Sequence, residues 1–285
     1  MTGVEGILKE LRKSGFPLEI QVGSRFSNSG WTVRHQAISR GEGERNPTYI
    51  DILATKLIEG NFARFGRLNF TVVCECKKSE NMPWVFYSPP AGHIIRELAA
   101  MTYVKTLAEP PLEFAEMSLL AKTHYLIRDP VDRFAQTSQL IGWKEESNSK
   151  GKNPKGKIPK GRNSGFNQIN EAINQVVSAT GHRVRTLRDM IKLVPSAMIV
   201  VCPLIVLDGA MYEYNLGIDE EPNVKPTSHV KYLAATIGPE MKVELPNKQS
   251  LTTSSTEDFL IDIVVKSSLP QYVGWLEEDM RLIMS

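Results

Sequence analysis

A chain of 285 residues is long enough for one large domain or two small ones. Its 41% hydrophobic and 23% charged residues are those of a globular chain that buries a core. The net charge of +2, from 34 basic and 32 acidic residues, excludes a globally basic surface, so any contact with nucleic acid has to come from local charge. No G-x-S-x-G elbow, P-loop or dinucleotide fingerprint occurs. His35, His93, His124, His182 and His229 stand in no metal or triad spacing. Cys74 and Cys76 have a C-x-C spacing, but no second Cys/His pair accompanies them, so they and Cys202 read as small buried hydrophobes of a reducing cytoplasm. The first residues mix Glu and Lys with apolar side chains and form no signal-peptide pattern. The most apolar run, 197–207, contains Pro203 and is too short to span a bilayer. The expectation is therefore a soluble, cytoplasmic protein with no membrane partner.

Taken in order, 4–13 has Ile7, Leu8 and Leu11 on one side of a short amphipathic helix. A second helix starts at Pro17, carries Leu18, Val22 and Phe26 at every fourth position, and stops at Gly30. Glu19 lies in its first turn, where the helix dipole favours an acid. Residues 31–38 read as a first strand and 49–55 as a second, with Asp51 its only acid; 57–67 reads as loop. The third strand is Leu68-Asn69-Phe70-Thr71-Val72-Val73-Cys74-Glu75-Cys76-Lys77-Lys78. Strand alternation puts Val72, Cys74 and Cys76 on one face and Val73, Glu75 and Lys77 on the other. The three strands form an antiparallel meander behind a helix.

Beyond Lys78, residues 81–90 read as an extended loop. Helical periodicity returns in 91–107, 112–126 and 132–141, so 79–141 reads as a helical insertion. Residues 144–165 form a flexible loop whose stretch 150–162 holds Lys150, Lys152, Lys155, Lys157, Lys160 and Arg162 with no acid, either as a solvated linker or as an arm along a phosphate backbone. A helix at 166–177 follows, with Ile169, Ile173, Val176 and Val177 as its apolar stripe and Gln168 and Gln175 among its polar residues. The run 198–207 reads as a strand buried on both faces, bent or at an edge near Pro203. Asp208-Gly209 signals a hairpin turn, with 211–216 pairing back. Further strands are expected at 230–237 and at 259–266, where Asp262 is expected to face solvent. An amphipathic helix over 270–284 closes the chain.

An Asp on one strand and Glu-x-Lys on the next, Asp51 with Glu75 and Lys77, resembles the PD-(D/E)XK nuclease family. The resemblance spans about 17–207, where helix, three strands, helix and strand follow in the family's order. The family's Pro before the Asp is replaced by Tyr49-Ile50. The resemblance implies an α/β (α+β) restriction-endonuclease-like core in a single domain over 1–285. A central mixed sheet would be flanked by helices, with the helical insertion and extra C-terminal strands added.

The resemblance also implies metal-dependent hydrolysis of DNA leaving a 5′-phosphate, as in restriction, phage defence or repair. Asp51, Glu75 and the Cys76 carbonyl would hold Mg²⁺ or Mn²⁺. Lys77 would orient water and stabilise charge on the phosphate. Gln168 on the following helix, ahead of Gln175, would support the site. Glu19 is a candidate further ligand, since an acid on that helix sometimes joins the family's metal. Two cuts on a duplex imply a homodimer by analogy, and the insertion is a candidate surface for a partner protein or a wall of a substrate channel. The competing expectations are a strand-end ion pair of Glu75 and Lys77 with no further role, and a non-catalytic nucleic-acid-binding or scaffolding protein on the same fold.

Overall fold

The computed structural model describes residues 3–39, 48–62, 65–87, 105–109, 137–140, 164–193, 197–215, 223–244 and 250–284. Its elements are α1 (Gly3–Lys13), α2 (Phe16–Asn28), β1 (Thr32–Ser39), β2 (Thr48–Phe62), β3 (Phe65–Tyr87), β4 (Lys105–Glu109) and β5 (Thr137–Leu140). Then come α3 (Ser164–Ile191), β6 (Ala197–Asn215), β7 (Asn223–Pro226), β8 (His229–Glu244), β9 (Ser250–Val265), a 3-10 turn at Lys266–Ser268 and α4 (Leu269–Met284). Among the described residues no helix is long and apolar enough to cross a membrane.

The second helix forms as its sequence dictates. Pro17 occupies the first turn, where its missing N–H has no partner to lose. Leu18, Val22 and Phe26 are buried. Gly30, at φ +78°, turns the chain out in a conformation that glycine adopts without strain. The Trp31 N–H then returns to the Phe26 carbonyl at 3.1 Å, and the two rings meet edge to face.

The main path of the mixed sheet is β1-β2-β3-β6-β9-β8. The first two pairings are antiparallel, as the meander requires. β3 pairs with β6, and β6 with β9, in parallel. A parallel partner demands a crossover, and α3 lies within it. The sheet has a core on each face. Val72, Cys74, Cys76, Leu204 and Val206 pack with α2 and α4 on one. Val73, Ile205, Leu207 and Ile263 pack with α3 on the other. Alternation along β3 is thus as expected, and Glu75 and Lys77 belong to the α3 face.

Five local readings change. β2 continues to Phe62 across the first expected loop because its end pairs with the start of β3, from Leu57 opposite Asn69 to Phe62 opposite Phe65. β3 continues to Tyr87 across the second because Trp84 and Phe86 are fully buried in the α3-side core and hold the strand beyond a register shift between Ser79 and Trp84. Asp208-Gly209 makes no hairpin: β6 runs through it beside β3, with Gly209 opposite Ser79. A Cβ at position 209 would lie 2.5 Å from the Ser79 carbonyl oxygen, so this glycine answers a close approach of two strands rather than a turn.

Residues 105–109 and 137–140 of the expected helical insertion are strands. They pair with β6 at 197–201 and with β3 at 84–87, covering backbone that would otherwise be an open edge; helical periodicity gives way to that pairing. The rest of 88–136, including 112–126, lies outside the described residues. Pro203 is at a local edge, as expected: it falls between the β4-paired and β9-paired stretches of β6, where that side of the strand has no partner to receive an N–H. Asp262, finally, is fully buried instead of facing solvent, because α4 packs over its side of the sheet and Tyr272 of that helix reaches it.

Candidate functional site

The site begins where a ladder stops. The β2–β3 pairing ends at Ile52 and Cys74, although its register would set Asp51 opposite Glu75. Asp51 instead turns its carboxylate to the Cys76 backbone N–H, which donates to Oδ2 at 2.7 Å. On the other side of β2, the β1 pairing skips one position between His35–Ile52 and Ala37–Ile50. Gln36 occupies that position of β1 with φ +49°, unusual for a residue with a side chain. Asp51 therefore sits where both neighbouring ladders are interrupted.

Glu75 is 3% exposed and faces the α3 side. Its Oε1 meets Lys77 Nζ at 2.7 Å, and its Oε2 is buried without a partner. Burial above all, then the charge on Asp51, pushes its carboxyl up to about 7 against the pull of Lys77. Burial also raises Asp51, opposed by the Cys76 N–H and Lys77. Glu19 is raised by burial and then by Asp51, with Lys77 opposing. Three acids and one ammonium thus share one electrostatic field. The first-turn acid of α2 thus lies within electrostatic reach of Asp51 and Lys77.

Lys77 also donates to Gln175 Oε1 at 3.0 Å. The glutamine that reaches Lys77 is thus Gln175 and not Gln168, which is solvent-exposed. Seven residues are about two helical turns, so both lie on one side of α3, but Gln168 is roughly 10 Å further along the axis. Sequence periodicity finds the face and leaves the turn open. The Cys76 side chain lies in the opposite core. A hydrogen bond with Cys74, together with burial, holds its thiol well above the ordinary cysteine range, as for a small buried hydrophobe. Lys150, Lys152, Lys155, Lys157, Lys160 and Arg162 lie outside the described residues.

The donor set can be tested against a divalent cation. Glu75 Oε2 is a buried carboxylate oxygen with no donor, and Asp51 brings a second carboxylate into the same field. Hard oxygen ligands of this kind suit Mg²⁺ or Mn²⁺, and Mg²⁺ commonly takes one or two carboxylates and keeps several waters. Among the described residues no group of three or more His, Cys, Asp or Glu is arranged to hold a metal by itself, so water and substrate would complete the shell. Compared with protein-family models, with curated proteins and with solved structures, the chain matches none.

Proposed function

We propose that the chain is a divalent-metal-dependent nuclease that hydrolyses phosphodiester bonds of DNA on a restriction-endonuclease-like core. The observation that carries this reading is Glu75, a buried carboxylate with one oxygen paired to Lys77 and the other bare. A burial that costs several kcal/mol and is left half satisfied calls for a ligand. The order helix, three strands, helix, strand, with Asp51 at a parted ladder, supports it further.

In this reading Asp51 and Glu75 hold Mg²⁺ or Mn²⁺, with the Cys76 carbonyl and Glu19 as further oxygen donors. A bound divalent cation supplies Lewis acidity and acidifies water. Glu75, whose carboxyl burial pushes up to about 7, would have to be ionised to hold the cation. Lys77, held between Glu75 and Gln175, orients the attacking water and presents positive charge where the phosphate gains negative charge.

The experiment is cleavage of linear and circular, single- and double-stranded DNA with Mg²⁺, Mn²⁺ or EDTA. Metal-dependent cutting that falls by at least about 10²-fold in both Lys77→Ala and Asp51→Ala, with folding and DNA binding retained, is expected. Wild-type cutting by both variants overturns the site. Salt-sensitive binding without cutting on any substrate replaces the nuclease with a non-catalytic binding protein.

A further inference from the structure

Among the described residues four buried side-chain polar atoms lack a hydrogen-bond partner, and two of these are indole N–H groups. The other two belong to ionisable side chains. One is Glu75 Oε2; the second is Arg183 Nε on α3. A guanidinium keeps its charge at any ordinary pH, so an unmet buried N–H on it is a standing cost. Burial and then the charge of Arg34 make the Arg183 cation less favourable than usual. Two like charges are therefore neighbours, and among the described residues neither has a carboxylate ion-pair partner.

Their position is set by the sheet. Val33 packs toward the α2-side core, so Arg34, the next residue of β1, emerges on the α3 face. It pairs with Leu53, two residues along β2 from Asp51, and Leu53 pairs with Val73, two residues before Glu75. At about 3.3 Å per residue and 4.8 Å per strand, the Arg34 backbone stands roughly 8 Å from that of Asp51, one row beside the acids. On α3, Arg183 follows Gln175 by about 12 Å of helix. The helix thus runs from the Lys77 contact to the Arg34 side of the same face.

We infer that Arg34 and Arg183 form an anion subsite that takes a second backbone phosphate of the nucleic acid, a short step along the strand from the phosphate held at the acids. The inference rests on the nuclease reading for its substrate class. A diester phosphate suits the pair chemically: its two free oxygens accept from guanidinium forks, and one negative charge between two cations offsets their repulsion.

The test is duplex DNA binding in EDTA, across a salt series, for wild type, Arg34→Gln, Arg183→Gln and the double variant. Loss of this one phosphate in the double variant should lower the slope of log affinity against log salt by about one, each single variant should lower it part of the way, and Arg183→Lys should restore part of it. Without DNA, Arg183→Gln should melt at or above the wild-type temperature, since a repelling charge is gone. A double variant with the wild-type slope overturns the subsite. So does an Arg183→Gln protein that melts lower but binds with an unchanged slope, because Arg183 is then only structural. Arg34→Gln alters an exposed strand residue and tests the pair by itself if Arg183 variants fail to fold. Inorganic phosphate that raises the wild-type melting temperature as much as a short oligonucleotide at equal phosphate concentration overturns the backbone reading in favour of a free-anion site. These results are separate from those for Lys77→Ala and Asp51→Ala: if both of those cut normally the acid site fails, and the salt slopes still decide the arginine pair.

Discussion

Among the described residues two acids are buried in interior strands of this sheet, and they are treated in opposite ways. Asp262 on β9 is fully buried, and both its oxygens are engaged. Lys231 Nζ lies 3.2 Å and His229 Nε2 3.1 Å from Oδ1, while the Tyr272 hydroxyl donates to Oδ2 at 2.9 Å. Glu75 on β3 is as deeply buried and has one partner for two oxygens. The first arrangement closes a buried charge within the fold and ties β8, β9 and α4 together. The second leaves an acceptor for something the chain does not provide. Burial alone therefore does not mark a site; incomplete satisfaction does.

The contrast breaks most readily at Asp262. Asp262→Ala removes the acceptor shared by two strands and a helix, and should lower unfolding free energy by about 3–5 kcal/mol in urea melts. Glu75→Gln should leave stability within about 1 kcal/mol of wild type, or raise it, because it removes a poorly accommodated charge. Equal losses in the two variants would erase the distinction.

A second, smaller effect is in pH. Glu75 titrates near 7 when folded against an ordinary 4.5, so the folded chain binds this proton more tightly than the unfolded one. Its contribution is most favourable below about 4.5, declines as pH rises toward 7 and then levels, a change on the order of 3 kcal/mol. The stability difference between wild type and Glu75→Gln, followed from pH 4.5 to about 7, should trace that decline. Because a cation has to displace the same proton, Mg²⁺ affinity should rise over that interval and binding should release protons. A flat difference curve would mean that Glu75 is ionised throughout.

The smallest effect separates the two glutamines. Loss of the Gln175–Lys77 hydrogen bond in Gln175→Ala is worth about 1 kcal/mol, or roughly fivefold in cleavage rate, whereas Gln168→Ala should be silent. The reverse order would return the supporting role to the first turns of the helix.

The sequence makes the meander and the site strands legible because their signals are local. Leu18, Val22 and Phe26 recur at a helical period, and β3 alternates strictly through Glu75 and Lys77. What it hides is non-local. Asp262 looks like a solvent-facing interruption until α4 packs over its side of β9. Asp208-Gly209 looks like a turn until Ser79 is seen against it. Residues 105–109 have a helical period, yet they lie where β6 offers an open edge. Gln168 and Gln175 are equivalent by composition, and only the height of α3 over Lys77 separates them. Arg34 and Arg183, about 150 residues apart, have no shared motif at all.

The parallel pairing of β3 with β6 has a consequence for the growing chain. Val73 meets Pro203, about 130 residues later, so at 5–20 residues per second the ribosome needs on the order of ten seconds to deliver the partner. Throughout that interval one side of an apolar, β-branched segment is available to any other strand. Glu75 and Lys77 interrupt this segment with opposite charges, the kind of residue that guards such a run against aggregation. The pair at the candidate site thus also breaks the apolar run in the nascent chain, and its removal should lower yield during synthesis.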